Sequence, residues 1–236
     1  MPTQRASNVD RWLKRETPRV RKALENASRH FDNNDHLSVN TLEAVYGRES
    51  SFGTMMRQRG SSAAAGHFHL EPKTARQYGL IVSKHNDQRF DLHRAASAAV
   101  RYLKDLDTMF SKKTTIRKTV KTIPIRDPAE RKKFVLAAYN GGQGRIATAQ
   151  RLAEQSGKNP QLWRDVERFL ELAKATPRKA SEIRHYVEAV LAYEIEFAKK
   201  STAKKSLKRK QANKQTSWCT VGHWRTIDDR PVFICG

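Results

Sequence analysis

The chain has 236 residues, and its 46 Lys and Arg against 24 Asp and Glu give a formal net charge of +22. That length suits one sizeable domain with or without appendages. The charge predicts an anionic partner: nucleic acid, an anionic membrane surface, or a bacterial wall with its carboxylates and phosphates. Hydrophobic residues make up only 38% of the chain, which indicates that part of it lies outside any core.

The apolar residues and cysteines exclude several protein classes. No apolar run approaches the roughly 20 residues that cross a bilayer, so we do not expect an integral membrane protein. The first residues lack the apolar stretch of a standard signal peptide. Cys219 and Cys235 are the only cysteines, too few for a disulfide-stapled scaffold or a Cys-rich zinc fold. A Cys219–Cys235 disulfide and two free thiols both remain open.

Residues 1–35 read as a basic helical N-terminal segment. Short helices are predicted around Trp12 and Leu24, because Pro18 interrupts a longer one. A clearer helix follows Ser38, with Leu42, Val45 and Tyr46 at helical spacing. Residues 50–70 are rich in Ser, Gly and Ala and predict a long loop.

The middle of the chain carries the strongest helix signals. Asp91 is placed to cap a helix with an alanine- and leucine-rich stripe, and Asp127-Pro128-Ala129-Glu130 is a typical helix start. Residues 111–126 hold six basic residues and no acid, which predicts an exposed loop or ribbon. Further helices are predicted at 72–79, 143–156, 160–174 and 179–198. These patterns predict a mainly α-helical domain over residues 36–198.

The composition changes after residue 198. Residues 199–215 contain eight Lys and Arg and no acid, which predicts a flexible basic linker. In residues 216–236, Asp228-Asp229-Arg230-Pro231 separates two β-prone stretches. The C-terminal segment is therefore predicted to form a small β-hairpin.

Glu49 is the first candidate for chemistry. It lies four residues after Val45 and seven after Leu42, so it falls on the apolar face of its helix. Partial burial of a carboxyl group raises its pKa and suits it to general acid catalysis near neutral pH. The alternative is that Glu49 ends the helix and turns to solvent.

Four motifs follow one another in a recognisable order: Glu49-Ser50-Ser51-Phe52, GHFHLEPKTA at 66–75, Ala138-Tyr139-Asn140-Gly141-Gly142, and Glu182-Ile183-Arg184-His185-Tyr186-Val187. This order resembles the soluble, goose-lysozyme-like lytic transglycosylases over about residues 36–198. The resemblance implies a lysozyme-like α-helical fold. A loose likeness of the C-terminal segment to phage virion proteins favours a phage origin.

The resemblance also implies a reaction. The substrate would be peptidoglycan, cleaved at the β-1,4 bond between N-acetylmuramic acid (MurNAc) and N-acetylglucosamine (GlcNAc). Glu49 would protonate the glycosidic oxygen and then, as carboxylate, take the proton of the muramic 6-hydroxyl, which closes on C1 to give a 1,6-anhydro product. The sugar supplies the nucleophile, so neither a second catalytic carboxylate nor a cofactor is expected.

Substrate contacts are implied at seven further positions: Ser62, Phe68, His69, Tyr139, Asn140, Glu182 and Tyr186. The loop could equally align on Ser61, and Phe68 and His69 stand where the family usually has Met and Gln. Without the family, Tyr139 is as readily a core aromatic, Asn140 a local backbone cap and Glu182 a solvated residue. His67 and His69 lack a third ligand nearby, so no metal is expected.

The expected partners are peptidoglycan glycan strands and, through the basic segments, an anionic envelope surface. The 199–215 run has no aromatic residues, so no specific nucleic acid is expected. The enzyme would act on the cell wall or in the periplasm, delivered by a phage or a specialised secretion route, with the C-terminal tail docking to a virion or secretion complex. Two rivals remain: a hydrolytic muramidase or endolysin on the same fold, and a non-catalytic protein that binds wall or nucleic acid.

Overall fold

The computed structural model describes residues 6–32, 36–57, 63–117, 119–216, 222–227 and 230–235. The chain divides into two compact units, Met1–Ile195 and Glu196–Gly236. The mainly α-helical class is confirmed. The helices are α1 Asn8–Arg15, α2 Pro18–Ser28, α3 Val39–Ser50, α4 Pro72–Gln77, α5 Leu92–Ser111, α6 Pro128–Gly141, α7 Gln143–Gln155, α8 Trp163–Val166 and α9 Pro177–Thr216.

Two antiparallel hairpins complete the described structure. β1 (Thr115–Arg117) pairs with β2 (Val120–Lys121), which confirms a ribbon within the basic 111–126 stretch. β3 (Gly222–Ile227) pairs with β4 (Arg230–Cys235) in the second unit, as the C-terminal pattern predicts. The side chains of both cysteines lie outside the described residues. None of the described helices combines the length and apolarity needed to cross a bilayer.

The core of the first unit is built around α5. Its buried face is rich in alanine and leucine, and α2 and α6 pack against it. Small side chains let neighbouring helices approach closely. Asp91 accepts a hydrogen bond from the backbone N–H of Arg94 and caps α5 as predicted, and Asp127 does the same for α6.

The N-terminal helices belong to this unit instead of forming a separate segment. Trp12 of α1 is 6% exposed; its ring lies 4.8 Å from that of Tyr193 and stacks 5.9 Å from that of Phe52. Gly47 of α3 faces the same ring, and a Cβ there would come within 2.5 Å of it. The short helix α1 therefore contributes to the core through the ring of Trp12.

Two sequence predictions of local structure differ from the structure. Residues 199–215 were expected to be a flexible linker, but α9 continues to Thr216. Lys, Arg, Ala and Gln are good helix formers, and the stretch contains no Gly or Pro. The single helix expected over 160–174 is instead the short α8, a 3-10 turn at Glu167–Phe169, and turns.

Burial displaces the pKa values of Glu43 and His67 far from their usual values. The Oε1 atom of Glu43 lies 2.5 Å from the Nη1 atom of Arg21, and burial raises the pKa of Glu43 to about 7 against the attraction of that guanidinium. The Nδ1 atom of His67 lies 3.0 Å from the hydroxyl of Tyr46, and burial lowers the pKa of His67 to about 4.

The first prediction concerns Trp12. Replacing this buried ring in Trp12→Ala should lower the free energy of unfolding by about 3 to 5 kcal/mol, because transfer and cavity terms add. Trp224 is 69% exposed, so Trp224→Ala is the matched control and should change stability by less than about 0.5 kcal/mol. Urea unfolding followed by far-UV circular dichroism measures both. Equal, small effects would mean that α1 is not part of the core.

The second prediction concerns pH. Between the unfolded pKa of 4.5 and the folded value of about 7, folded Glu43 binds more proton than unfolded, so its contribution to stability falls as pH rises. Between about pH 4 and pH 6.5, folded His67 binds less proton than unfolded His67, so its contribution to stability rises with pH. Each shift corresponds to about 3 kcal/mol, so the two nearly cancel.

A variant that lacks one of these two groups should show the pH dependence of stability that the other group causes. Glu43→Gln should become more stable as pH rises from about 4 to 6.5, while His67→Gln should become less stable between about 4.5 and 7. Urea unfolding at a series of pH values measures the slopes. Parallel stability profiles in wild type and both variants would contradict the assigned shifts.

Candidate functional site

Glu49 lies in the last turn of α3. Ser51 and Phe52 follow with φ of 50° and 58°, so the chain leaves the helix directly after the carboxylate. The side chain of Glu49 is 13% exposed. It therefore stands at the wall of a cavity, neither sealed in the core nor turned fully to solvent.

The turn after α3 requires glycine at its third position. Gly53 has φ of +82°, a region that residues with a Cβ rarely adopt. A Cβ at this position would lie 2.7 Å from the hydroxyl of Tyr46. Both the backbone conformation of this turn and the space beside Tyr46 therefore require glycine at position 53.

A tyrosine from the last helix of the unit holds the carboxylate. The hydroxyl of Tyr186, on α9, donates a hydrogen bond of 2.6 Å to Oε1 of Glu49. Burial, followed by the nearby charge of Glu49, raises the pKa of Tyr186 well above its usual value. Tyr186 therefore stays a neutral donor, and its ring lies 5.7 Å from the guanidinium carbon of Arg48.

His69 faces the other carboxylate oxygen. Its Nδ1 lies 3.5 Å from Oε2 of Glu49, and its Nε2 lies 2.8 Å from the carbonyl oxygen of Met55. A carbonyl oxygen only accepts, so Nε2 carries the hydrogen and, in neutral His69, Nδ1 is an acceptor. With Nε2 fixed by the carbonyl oxygen of Met55, Nδ1 is the ring nitrogen that faces the carboxyl group of Glu49.

A buried ion pair fixes the segment that carries His69. The guanidinium of Arg89 lies 2.7 Å from the carboxylate of Asp87, and both side chains are at most 1% exposed. Arg89 also donates to the carbonyl oxygens of Ala63 and Leu70 at 2.8 and 3.1 Å. Residues 63–70 are thereby tied at both ends.

The opposite wall comes from the end of α6 and the start of α9. Tyr139 donates to the carbonyl oxygen of Phe68 at 2.9 Å. Oε1 of Glu182 accepts from Asn140 at 3.1 Å and from Lys179 at 2.8 Å. Burial raises the pKa of Glu182, but these two bonds outweigh it and hold that pKa below its usual value. Glu182 is therefore a paired carboxylate.

Two cavities meet at Glu49. One, of about 670 Å³, also has Arg48, Arg57, Glu182 and Tyr186 in its wall; the other, of about 510 Å³, has Glu71, Lys73, Tyr139 and Arg145. Glu49, His69 and Asn140 line both. An elongated ligand could therefore pass the carboxylate with parts on either side of it.

The structure brings most predicted site residues together: Glu49, His69, Tyr139, Asn140, Glu182 and Tyr186 all line these cavities. Phe68 does not join them. Its ring is 1% exposed and packs 5.2 Å from that of Tyr46, so only its carbonyl oxygen serves the site. Ser61 and Ser62 lie outside the described residues.

Several basic residues in the cavity walls were not predicted from the sequence. Arg48 precedes Glu49 directly, Lys179 stands one turn before Glu182, and Arg117 belongs to the β-ribbon. The spacing of Lys179 and Glu182 is a readable i,i+3 signal. Nothing local in the sequence indicates that Arg117 reaches the cleft.

The histidines have separate partners. His67 faces the hydroxyl of Tyr46 while His69 faces Glu49. Among the residues that the structure describes, no group of three or more His, Cys, Asp or Glu is arranged to hold a metal ion.

Comparison with known proteins places this site in a family. Residues 27–162 match the transglycosylase SLT domain. The chain is 28% identical over 187 residues to the membrane-bound lytic murein transglycosylase F of Desulfosudis oleivorans, covering 75% of this chain and 36% of that protein. For the protein of the same name from Shewanella loihica, identity is 28% over 144 residues, covering 57% and 26%.

This chain thus spans about a third of the first relative and about a quarter of the second. The family match, by contrast, takes in more than half of this chain and includes α3, α4, α5 and α6. The chain therefore belongs to the transglycosylase SLT domain family.

Proposed function

We propose that this chain is a peptidoglycan lytic transglycosylase that cleaves the MurNAc-β-1,4-GlcNAc bond, with Glu49 as general acid and then base. The family to which the chain belongs and the names of its relatives support this proposal. The observation that carries the proposal is the setting of Glu49. It lies where two cavities meet, with one oxygen fixed by Tyr186 and the other facing the cavity beside His69.

The first step is protonation of the leaving group. Tyr186 occupies Oε1, so Oε2 is the oxygen that carries and delivers the proton. The proton passes from Oε2 to the glycosidic oxygen of the substrate beside His69, whose Nδ1 lies 3.5 Å from Oε2. As the bond between C1 and that oxygen breaks, Glu49 becomes a carboxylate and the sugar develops oxocarbenium character.

The second step closes the ring. The carboxylate of Glu49 removes the proton from the 6-hydroxyl of the muramic sugar, and that oxygen bonds to C1. The nucleophile is part of the bound sugar, so proximity replaces a second catalytic carboxylate. Of the other carboxylates in the cavity walls, Glu182 already accepts hydrogen bonds from Lys179 and Asn140 on its Oε1 atom.

The place of action and the origin extend this proposal. The basic surface suits the carboxylates and phosphates of a bacterial envelope. We infer that the chain acts on the cell wall or in the periplasm, and that a phage or a secretion apparatus delivers it, with residues 216–236 as the docking segment. The exposed Trp224 on β3 gives that hairpin an aromatic contact surface.

The third prediction tests the role of Glu49. Glu49→Gln keeps the shape and the bond from Tyr186 but cannot deliver or take a proton, so release of muropeptides should fall by about 10²- to 10⁴-fold. Peptidoglycan sacculi are incubated with each protein and the products are identified by mass spectrometry. Glu154→Gln, an exposed carboxylate on α7, is the matched control and should act as wild type.

The nature of the products separates the alternatives. Ends with 1,6-anhydro-MurNAc support the proposal. Reducing ends would indicate a hydrolytic muramidase, for which Glu71 is the other carboxylate in a cavity shared with Glu49. Wall binding without release, on walls of several chemotypes, would favour a non-catalytic binding protein.

The fourth prediction tests the bond that orients Glu49. Tyr186→Phe keeps the ring and removes the hydroxyl, so kcat should fall by about 10- to 100-fold, as expected for loss of a hydrogen bond to a charged group. Tyr78→Phe removes a similar bond of 2.8 Å, to Asp105, and should leave kcat unchanged. A Tyr186→Phe enzyme with the kcat of wild type would contradict the assignment.

A further inference from the structure

A third cavity, of about 810 Å³, adjoins the one beside Glu49. The two share Arg48, Ser51 and Met55. The rest of its wall comes from α1, from Gly47 and Thr54, and from the face of α9 between residues 185 and 193. The α1 and α9 parts of this wall lie outside residues 27–162, which match the family model.

The wall of this cavity is strongly basic. Arg11 and Arg15 lie one turn apart on α1 on either side of Trp12, and Arg48 stands at the junction with the catalytic cavity. None of the three guanidinium groups has an ion pair with a carboxylate among the described residues. Glu188 is the only acidic residue in the part of the wall that the structure describes. Arg11 donates to the side chain of Asn8, and Arg48 lies beside the ring of Tyr186. Three guanidinium groups around one space, without a carboxylate ion pair among the described residues, form a site for carboxylates or other anions.

The position of α1 is fixed by contacts on both sides. The amide of Asn8 donates to the hydroxyl of Tyr193 at 2.9 Å, and the ring of Trp12 is held between those of Tyr193 and Phe52. Arg15 also reaches the hydroxyl of Thr54 at 3.5 Å. The arginines therefore project from a packed helix and not from a loose chain terminus.

We propose that this cavity binds the peptide stem of the substrate strand through its carboxylates. The inference rests on the proposed function, because the stem is attached to the muramic sugar that Glu49 would process. The shared wall at Arg48 and Ser51 lets a substituent of that sugar enter the cavity. The apolar parts of its floor, including Trp12 and Ala189, suit the methyl groups of alanine in the stem.

The test uses two substrates and the full-length protein. One is purified glycan strands that carry tetrapeptide stems; the other is the same strands after an amidase has removed the stems. The variant is Arg11→Gln/Arg15→Gln. The control is Arg29→Gln/Arg164→Gln, which removes the same charge at exposed positions outside the three cavities.

The variant should show about a five- to tenfold lower kcat/KM on stem-bearing strands and less than about a twofold change on stem-free strands, as expected for loss of two partly exposed ion pairs. Added salt should shrink the advantage of stem-bearing strands in wild type. The control should match wild type on both substrates. An equal loss on both substrates, or no loss on stem-bearing strands, would overturn the proposal.

A binding measurement keeps this inference separate from the catalytic one. Trp12 lies in the cavity wall, so free tetrapeptide should change the tryptophan fluorescence of wild type but not of Arg11→Gln/Arg15→Gln. If wild type cleaves neither substrate, the proposed function fails, whereas the peptide titration still tests the cavity. Absence of any fluorescence change and of any bound peptide in equilibrium dialysis would reject stem binding.

Discussion

One hydrogen bond joins two helices that are far apart in the sequence: Tyr186 on α9 donates to Glu49 at the end of α3, across 137 positions. Its geometry exists only if the two helices are held in register. Glu194, two turns further along α9, supplies that hold, because it accepts from Thr41 at 2.6 Å and from Lys132 at 2.8 Å. Glu194, which docks α9, and Tyr186, which holds the side chain of Glu49, thus belong to the same helix.

The second constraint is the clamp around Arg89. His69 faces Oε2 of Glu49, although residues 63–70, which carry it, contain no helix. Arg89 binds this segment at both ends, at Ala63 and Leu70, and is itself neutralised by the buried Asp87. The pair is costly to bury, but its hydrogen bonds are satisfied on both sides. A buried arginine therefore positions a segment that no regular secondary structure holds.

Local signals in the sequence predicted most of the helices. Asp91 and Asp127 cap the helices that they were expected to cap, and the spacing of Leu42, Val45 and Glu49 predicted the partial burial of that carboxylate. The tertiary contacts could not be predicted from these local signals. Phe68 was expected in the cleft, but an aromatic ring gains more by packing against Tyr46 than by facing water. Residues 199–215 are helical in spite of their positive charge, because Lys, Arg, Ala and Gln have high helix propensity. A run of like charges alone predicts a linker.

The charged residues in the cavity walls can be compared with the charges of the proposed substrate. Near Glu49, Glu182 is paired with Lys179, but basic side chains outnumber acidic ones in the walls of the two cavities taken together. In the third cavity, Arg11 and Arg15 have no ion pair with a carboxylate among the described residues. A polymer whose sugars are neutral and whose side branches are anionic would meet matching surfaces at each distance from the scissile bond. Under the proposed function, the excess of basic residues would attract the anionic branches of the polymer along the three cavities, while proton transfer would take place at Glu49.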